Sequence, residues 1–159
     1  MKPSVYIESS VISYLTARPS NDVIKSARQA ITLDWWELRR SHFEIFVSSL
    51  VEKEIQRGDE KAASKRKAII DKLDYLDISE TAKKVSEQIL YCKLLPENSA
   101  EDALHIGIAA AEGINFLLTW NFKHINNAET KNLIVELIHD MGYTAPVLCS
   151  PEELGGNSD

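Results

Sequence analysis

The chain has 159 residues, 44% hydrophobic and 26% charged, with a formal net charge of −6; this fits one domain able to bury about two thirds of its unfolded surface. No run approaches the ~18 consecutive apolar residues of a membrane span, and Met1 leads straight into a strand-like segment with no apolar stretch of signal-peptide type. Cys92 and Cys149 stand alone without metal spacing, which excludes a disulfide scaffold and predicts a cytoplasmic protein.

Taken in order, Ser4-Val5-Tyr6-Ile7 is β-prone, Glu8-Ser9-Ser10 makes a polar turn, and Val11, Ile12, Tyr14 and Leu15 recur at helical spacing. Arg18-Pro19-Ser20-Asn21 breaks the chain. From Val23 to about Arg40, apolar residues mark one long amphipathic helix. Residues 43–47 read as the second strand. Ser49 with Glu52 has capping-box spacing and opens a helix through about Gln56.

Gly58-Asp59 starts a further helix carrying Lys61, Lys65, Arg66 and Lys67. Residues 75–78 are the third strand, and Ser79 caps a helix to about Leu94. Leu95-Pro96-Glu97-Asn98 is a loop. Ser99 is predicted to cap a helix over residues 100–112, stopped by Gly113. Residues 115–119 are the fourth strand, residues 128–141 a helix closed by Gly142, and residues 145–148 a last strand placed at an edge by Pro146. Residues 155–159 read as a disordered tail. Strands alternating with helices predict an α/β domain with a mainly parallel sheet.

In open parallel sheets, ligands bind outside the carboxyl ends of the strands. Glu8 follows strand one, Ser48 and Ser49 with their helix follow strand two, and Asn121 follows strand four. The helix before strand four must run antiparallel to it, which brings Glu101 and Asp102 to the same edge. Carboxylates that converge without matching cations repel, and a hard divalent ion such as Mg²⁺ or Mn²⁺ is the usual remedy.

Each of these residues also has a plainer explanation. The helix dipole alone would place Asp102. Glu8 could cap a helix, although Ser9 could cap it equally well, and a carboxylate after a buried strand is costly unless paired. Glu52 and Glu54 could be solvated, Asn121 could make a turn, His105 could be a satisfied core histidine, and His124 a loop residue. Trp35 and Trp36 read as helix packing. Lys61, Lys65 and Arg66 share part of one face and are candidate phosphate contacts, against a solvated basic helix.

Val5-Tyr6-Ile7-Glu8-Ser9-Ser10, Ser48-Ser49-Leu50-Val51-Glu52-Lys53-Glu54-Ile55, Asp102-Ala103-Leu104-His105-Ile106 and Leu118-Thr119-Trp120-Asn121-Phe122 resemble the ordered motifs of PIN-domain nucleases, most closely VapC-like toxins of toxin–antitoxin pairs. The similarity runs to Cys149-Ser150-Pro151-Glu152-Glu153-Leu154. It implies a three-layer α/β/α fold with a mainly parallel sheet of four to five strands, as one PIN-like domain over residues 1–150 with a flexible tail over 151–159.

The resemblance also implies a ribonuclease whose acidic pocket binds Mg²⁺ or Mn²⁺, a homodimer, and a small antitoxin covering that pocket. By position, Glu8, Glu54 and Asp102 would be metal ligands, Asn121 would occupy the fourth acidic position, and Ser9 would support the first acid. Glu52 is the alternative to Glu54. Glu8 is one methylene longer than the family's aspartate, and Asn121 keeps an oxygen but loses a charge. That loss motivates a second reading, a weakened PIN-like domain acting as a nucleic-acid- or protein-binding regulatory module. A different phosphotransfer enzyme would need a phosphate-accepting aspartate where this chain has Glu8.

Overall fold

The apolar run after Pro3 forms β1 (Ser4–Ile7), and its residues 5–7 are buried, as a strand covered on both faces by helices must be. The computed structural model describes residues 1–156. α1 (Ser9–Thr16), α2 (Val23–Asp34), β2 (Glu44–Ser48), α3 (Ser49–Ile55), α4 (Glu60–Ile70) and β3 (Asp74–Leu76) follow, then α5 (Glu80–Tyr91), α6 (Ala100–Ala111), β4 (Phe116–Leu118), α7 (Lys131–Asp140) and β5 (Val147–Cys149). The strands form one sheet in the order β3-β2-β1-β4-β5, and every pairing is parallel. The three-layer α/β/α architecture with four to five strands is therefore the observed one, and β5 lies at an edge.

Helices α1, α2, α3 and α4 pack on one another, while α5 lies along α6 and also touches α7. The α5–α6 crossing is close because Gly107 has no side chain: a Cβ there would stand 2.3 Å from the Ala82 carbonyl oxygen. Gly113 (φ +64°) and Gly142 (φ +91°) take the left-handed conformation that ends a helix.

Local details differ from the sequence reading by about one residue at several caps. Ser48, not Ser49, is the cap of α3: its Oγ accepts the Val51 N–H, because β2 runs extended to Ser48 itself. Glu52 makes no capping contact and instead accepts the Tyr75 hydroxyl at 2.5 Å. Ser99 makes no side-chain cap on α6. The helix read from Val23 to Arg40 stops at Asp34 and continues as a π turn (Trp35–Arg39) and a 3-10 turn (Arg40–His42).

Residues 151–154, expected to begin the tail, form a turn. Glu153 Oε1 accepts from the Ser150 N–H and hydroxyl and from Asn126 Nδ2. Residues 157–159 of that tail lie outside the described residues. No helix among the described residues is long and apolar enough to cross a membrane.

Candidate active site

The chain adds β2 and β3 on one side of β1, then crosses to add β4 and β5 on the other. The gap between the carboxyl ends of β1 and β4 is thus a topological switch point, where open parallel sheets bind ligands. Ile7 pairs with Leu118, so the next residues, Glu8 and Thr119, face each other across that gap. Glu8 is 5% exposed. Its Oε1 accepts from Thr119 Oγ1 at 2.5 Å and Ser10 Oγ at 2.6 Å. Its Oε2 accepts from the Ser10 N–H at 3.0 Å and Ser9 Oγ at 2.8 Å. Four donors fill the four lone-pair sites of one carboxylate. Glu8, not Ser9, caps α1.

Glu54, on the last turn of α3, meets a different partner. Its Oε1 accepts from His105 Nε2 at 2.6 Å. The other ring nitrogen, Nδ1, lies 2.7 Å from the Tyr6 hydroxyl, which lies 2.8 Å from Ser48 Oγ. β1, β2, α3 and α6 each give one member to this buried chain. Burial of the imidazole lowers its pKa, but the Glu54 hydrogen bond, aided by the Glu54, Glu8 and Asp102 charges, outweighs it and holds the pKa above the ordinary value. Burial also pushes the Tyr6 phenol up, so it stays protonated. His105 is fully buried with both nitrogens occupied.

Asp102, on the first turn of α6, accepts at Oδ2 from His124 Nδ1 at 2.9 Å, both side chains being 21% exposed. Asn121 turns its oxygen away from this role: Oδ1 accepts the His124 backbone N–H at 2.9 Å. Beside Asp102, Glu101 pairs with Arg57 at 2.9 and 3.0 Å, and that guanidinium holds the Glu101 carboxyl below its usual range.

Ligand atoms of Glu8, Glu54 and His105 lie within 4.8 Å of one another. His105 has no nitrogen left for an ion. Glu54 Oε2 and Asp102 Oδ1 accept no hydrogen bond among the described residues, and each is partnered through its second oxygen by a histidine. Hard oxygen donors oriented in this way suit Mg²⁺ or Mn²⁺. The oxygens that the structure brings together for a divalent ion are those of Glu54 and Glu8, the latter already holding four donors, whereas Asp102 falls outside that cluster.

The basic helix is divided. Arg66 turns inward, donating to the Ile55 carbonyl at 2.9 and 2.7 Å and to that of Arg57 at 2.9 Å, the carbonyls at the end of α3. Lys61 and Lys65 are exposed and, together with Arg66, line a cavity of about 860 Å³ between α1 and α4, which Arg18, Asp59 and Glu60 also border. Trp35 is buried against Phe43 with ring centroids 5.8 Å apart.

Sequence reasoning missed His105 and His124 as partners of the acids, and Ser10 and Thr119 as donors to Glu8. Two signals were present: His105 lies three residues after Asp102 on one helix, and Thr119 follows the strand that pairs with β1.

A five-stranded parallel α/β/α sheet with acids gathered at its switch point defines the class of this protein. A family model for the PIN domain matches residues 5–129, and the chain belongs to that family. No curated protein matches it by sequence. Among solved structures it is similar to VapBC2 from Rickettsia felis bound to a DNA fragment from its promoter, with 17% identity and a TM-score of 0.59 over 92% of this chain and 97% of that one. It is also similar to Mycobacterium tuberculosis VapC20, a Sarcin-Ricin loop cleaving toxin, with 15% identity and a TM-score of 0.58 over 79% of this chain and 95% of that one. These likenesses are of fold.

Proposed function

We propose that this chain is a Mg²⁺- or Mn²⁺-dependent endoribonuclease, working in the cytoplasm as the toxin of a toxin–antitoxin pair. The observation that carries the reading is the pair Glu54 and Asp102, each with one oxygen fixed by a histidine and the other without a protein donor, at the switch point. Glu8, Glu54 and Asp102 would hold the ion, and Ser9 and Thr119 would hold the Glu8 carboxylate in place. When bound there, a divalent ion would supply Lewis acidity toward a phosphate and a water. Lys61 and Lys65 offer phosphate contacts along the strand of RNA.

VapC20, of the same fold, is a Sarcin-Ricin loop cleaving toxin, which supports an RNA substrate here, and the likeness to VapBC2 bound to a DNA fragment from its promoter supports an antitoxin partner; the homodimer is carried by the family resemblance alone. The test is cleavage of structured RNA by purified protein with Mn²⁺ or Mg²⁺. Asp102→Asn should lose at least ~100-fold, beyond the usual cost of losing a ligand's hydrogen-bonding partner. Wild type without cleavage, indistinguishable from Asp102→Asn, overturns the reading.

The binding or regulatory module is the second reading, and the observation favouring it is that Asn121 replaces an acid and spends its oxygen on a turn. RNA binding without any calorimetric sign of divalent binding decides for it.

A further inference from the structure

Position 121, where the resemblance calls for a fourth acid, is built as a turn. Asn121 Oδ1 accepts the His124 N–H at 2.9 Å, the Asn121 N–H donates to Thr119 Oγ1 at 2.9 Å, and the Asn126 N–H donates to the Asn121 carbonyl at 2.9 Å. The loop after β4 is pinned at three points. What it delivers is the His124 imidazole, whose Nδ1 stands 2.9 Å from Asp102 Oδ2, with Ser99 Oγ 3.2 Å from the same nitrogen. A carboxylate can only accept, so Nδ1 carries the proton of that bond.

We propose that His124 is the positioning residue of Asp102, and that Asn121 serves the site through His124 and not as a ligand. The proposal rests on the reading of Asp102 as an acid that holds the divalent ion. A carboxylate on the first turn of a helix rotates freely about two bonds, and an N–H fixed on one oxygen selects one orientation and leaves Oδ1 as the ligand atom. The same N–H offsets part of the repulsion between Asp102 and the other acids of the edge. A fourth carboxylate would have added to that repulsion.

The test is Mn²⁺ titration by calorimetry on the full chain without RNA, alongside thermal unfolding. His124→Ala should weaken Mn²⁺ binding ~10–100-fold, the range for losing an outer partner of a metal-bound group. His124→Asn, whose amide N–H can stand where Nδ1 stands, should recover affinity to within about threefold of wild type on the same scale. Asn121→Ala should resemble His124→Ala, whereas Asn121→Asp, which keeps the accepting oxygen, should stay close to wild type.

Wild-type affinity in His124→Ala, or His124→Asn as weak as His124→Ala, overturns the positioning role. Tighter Mn²⁺ binding by Asn121→Asp overturns the role given to Asn121. If His124→Ala does not fold, His124→Asn is set against His124→Gln, whose N–H falls where Nε2 lies, and equal affinities overturn the proposal. Asp102→Asn is the separate control: unchanged Mn²⁺ affinity there overturns the reading of Asp102 and the present proposal together.

Discussion

The Thr119 hydroxyl donates to Glu8 Oε1 at 2.5 Å, joining the residues that follow β4 and β1 across the switch point. With Ser9 and Ser10 it completes the shell of a carboxylate that is 5% exposed. Thr119→Val keeps the shape and removes one donor from a buried charge. The expected cost is about 1–3 kcal/mol, read as a lower urea midpoint with an unchanged slope. A midpoint equal to wild type would show that the bond contributes nothing net.

Two acids on α3 face different neighbours and should separate cleanly. Glu54 reaches His105 within the pocket, whereas Glu52 reaches the Tyr75 hydroxyl at the far side of β2. Glu54→Gln should lower RNA cleavage at least ~100-fold. Glu52→Gln should leave the rate within twofold and cost no more than about 1 kcal/mol of stability. The reverse pattern in a cleavage assay would move the helical acid to Glu52.

The buried His105 makes stability depend on pH in a definite direction. Its folded-state pKa lies above the ordinary 6.5, so the native chain binds the proton more tightly than the unfolded one. That contribution is fully present below pH 6.5 and is lost as pH rises through the folded-state pKa. Chelator-treated protein, unfolded by urea at a series of pH values, should lose stability on the alkaline side of 6.5, and His105→Gln should flatten this fall. An identical profile in the variant rules the pair out as its source.

Lys61 and Lys65 should report on RNA without affecting the fold, because both are exposed. Removing one lysine–phosphate pairing lowers the slope of log affinity against log salt by about 0.7 for single strands. The double variant to alanine should bind RNA more weakly with a shallower salt dependence and unchanged thermal stability. Arg66→Ala should do the opposite, losing stability through the Ile55 and Arg57 carbonyls. Salt slopes that do not change exclude the cavity between α1 and α4 as a phosphate path.

The fold was legible because its signals are local. Apolar runs such as Val5-Tyr6-Ile7, the caps Asp59 and Ser79, and Gly113 each act within a few residues. Strand direction alone placed Glu8, the helix after β2, Asn121 and Asp102 at one edge, whereas the choice of Glu54 on that helix came from the resemblance. What the sequence could not reveal is which partner each side chain takes, since that depends on register between distant strands. Thr119 reaches Glu8 only because Ile7 pairs with Leu118, and His105 reaches Glu54 only because α6 brings its buried face to α3. Arg66 shares a helix face with Lys61 and Lys65, and the Ile55 and Arg57 carbonyls it binds, eleven and nine residues away, give no signal in that spacing.

Glu8 and Thr119 are 111 residues apart in the chain. On the ribosome, β1 is the first strand made, yet its open side stays unpaired until β4 has emerged. α3, bearing Glu54, precedes α6, bearing Asp102, and the loop carrying His124 comes later still. A nascent chain that ends between α6 and β4 holds Glu8, Glu54 and Asp102 without Thr119 and His124, the partners that fix two of them. The contacts that fix Glu8 and Asp102 therefore close only once the loop beyond β4 has been made.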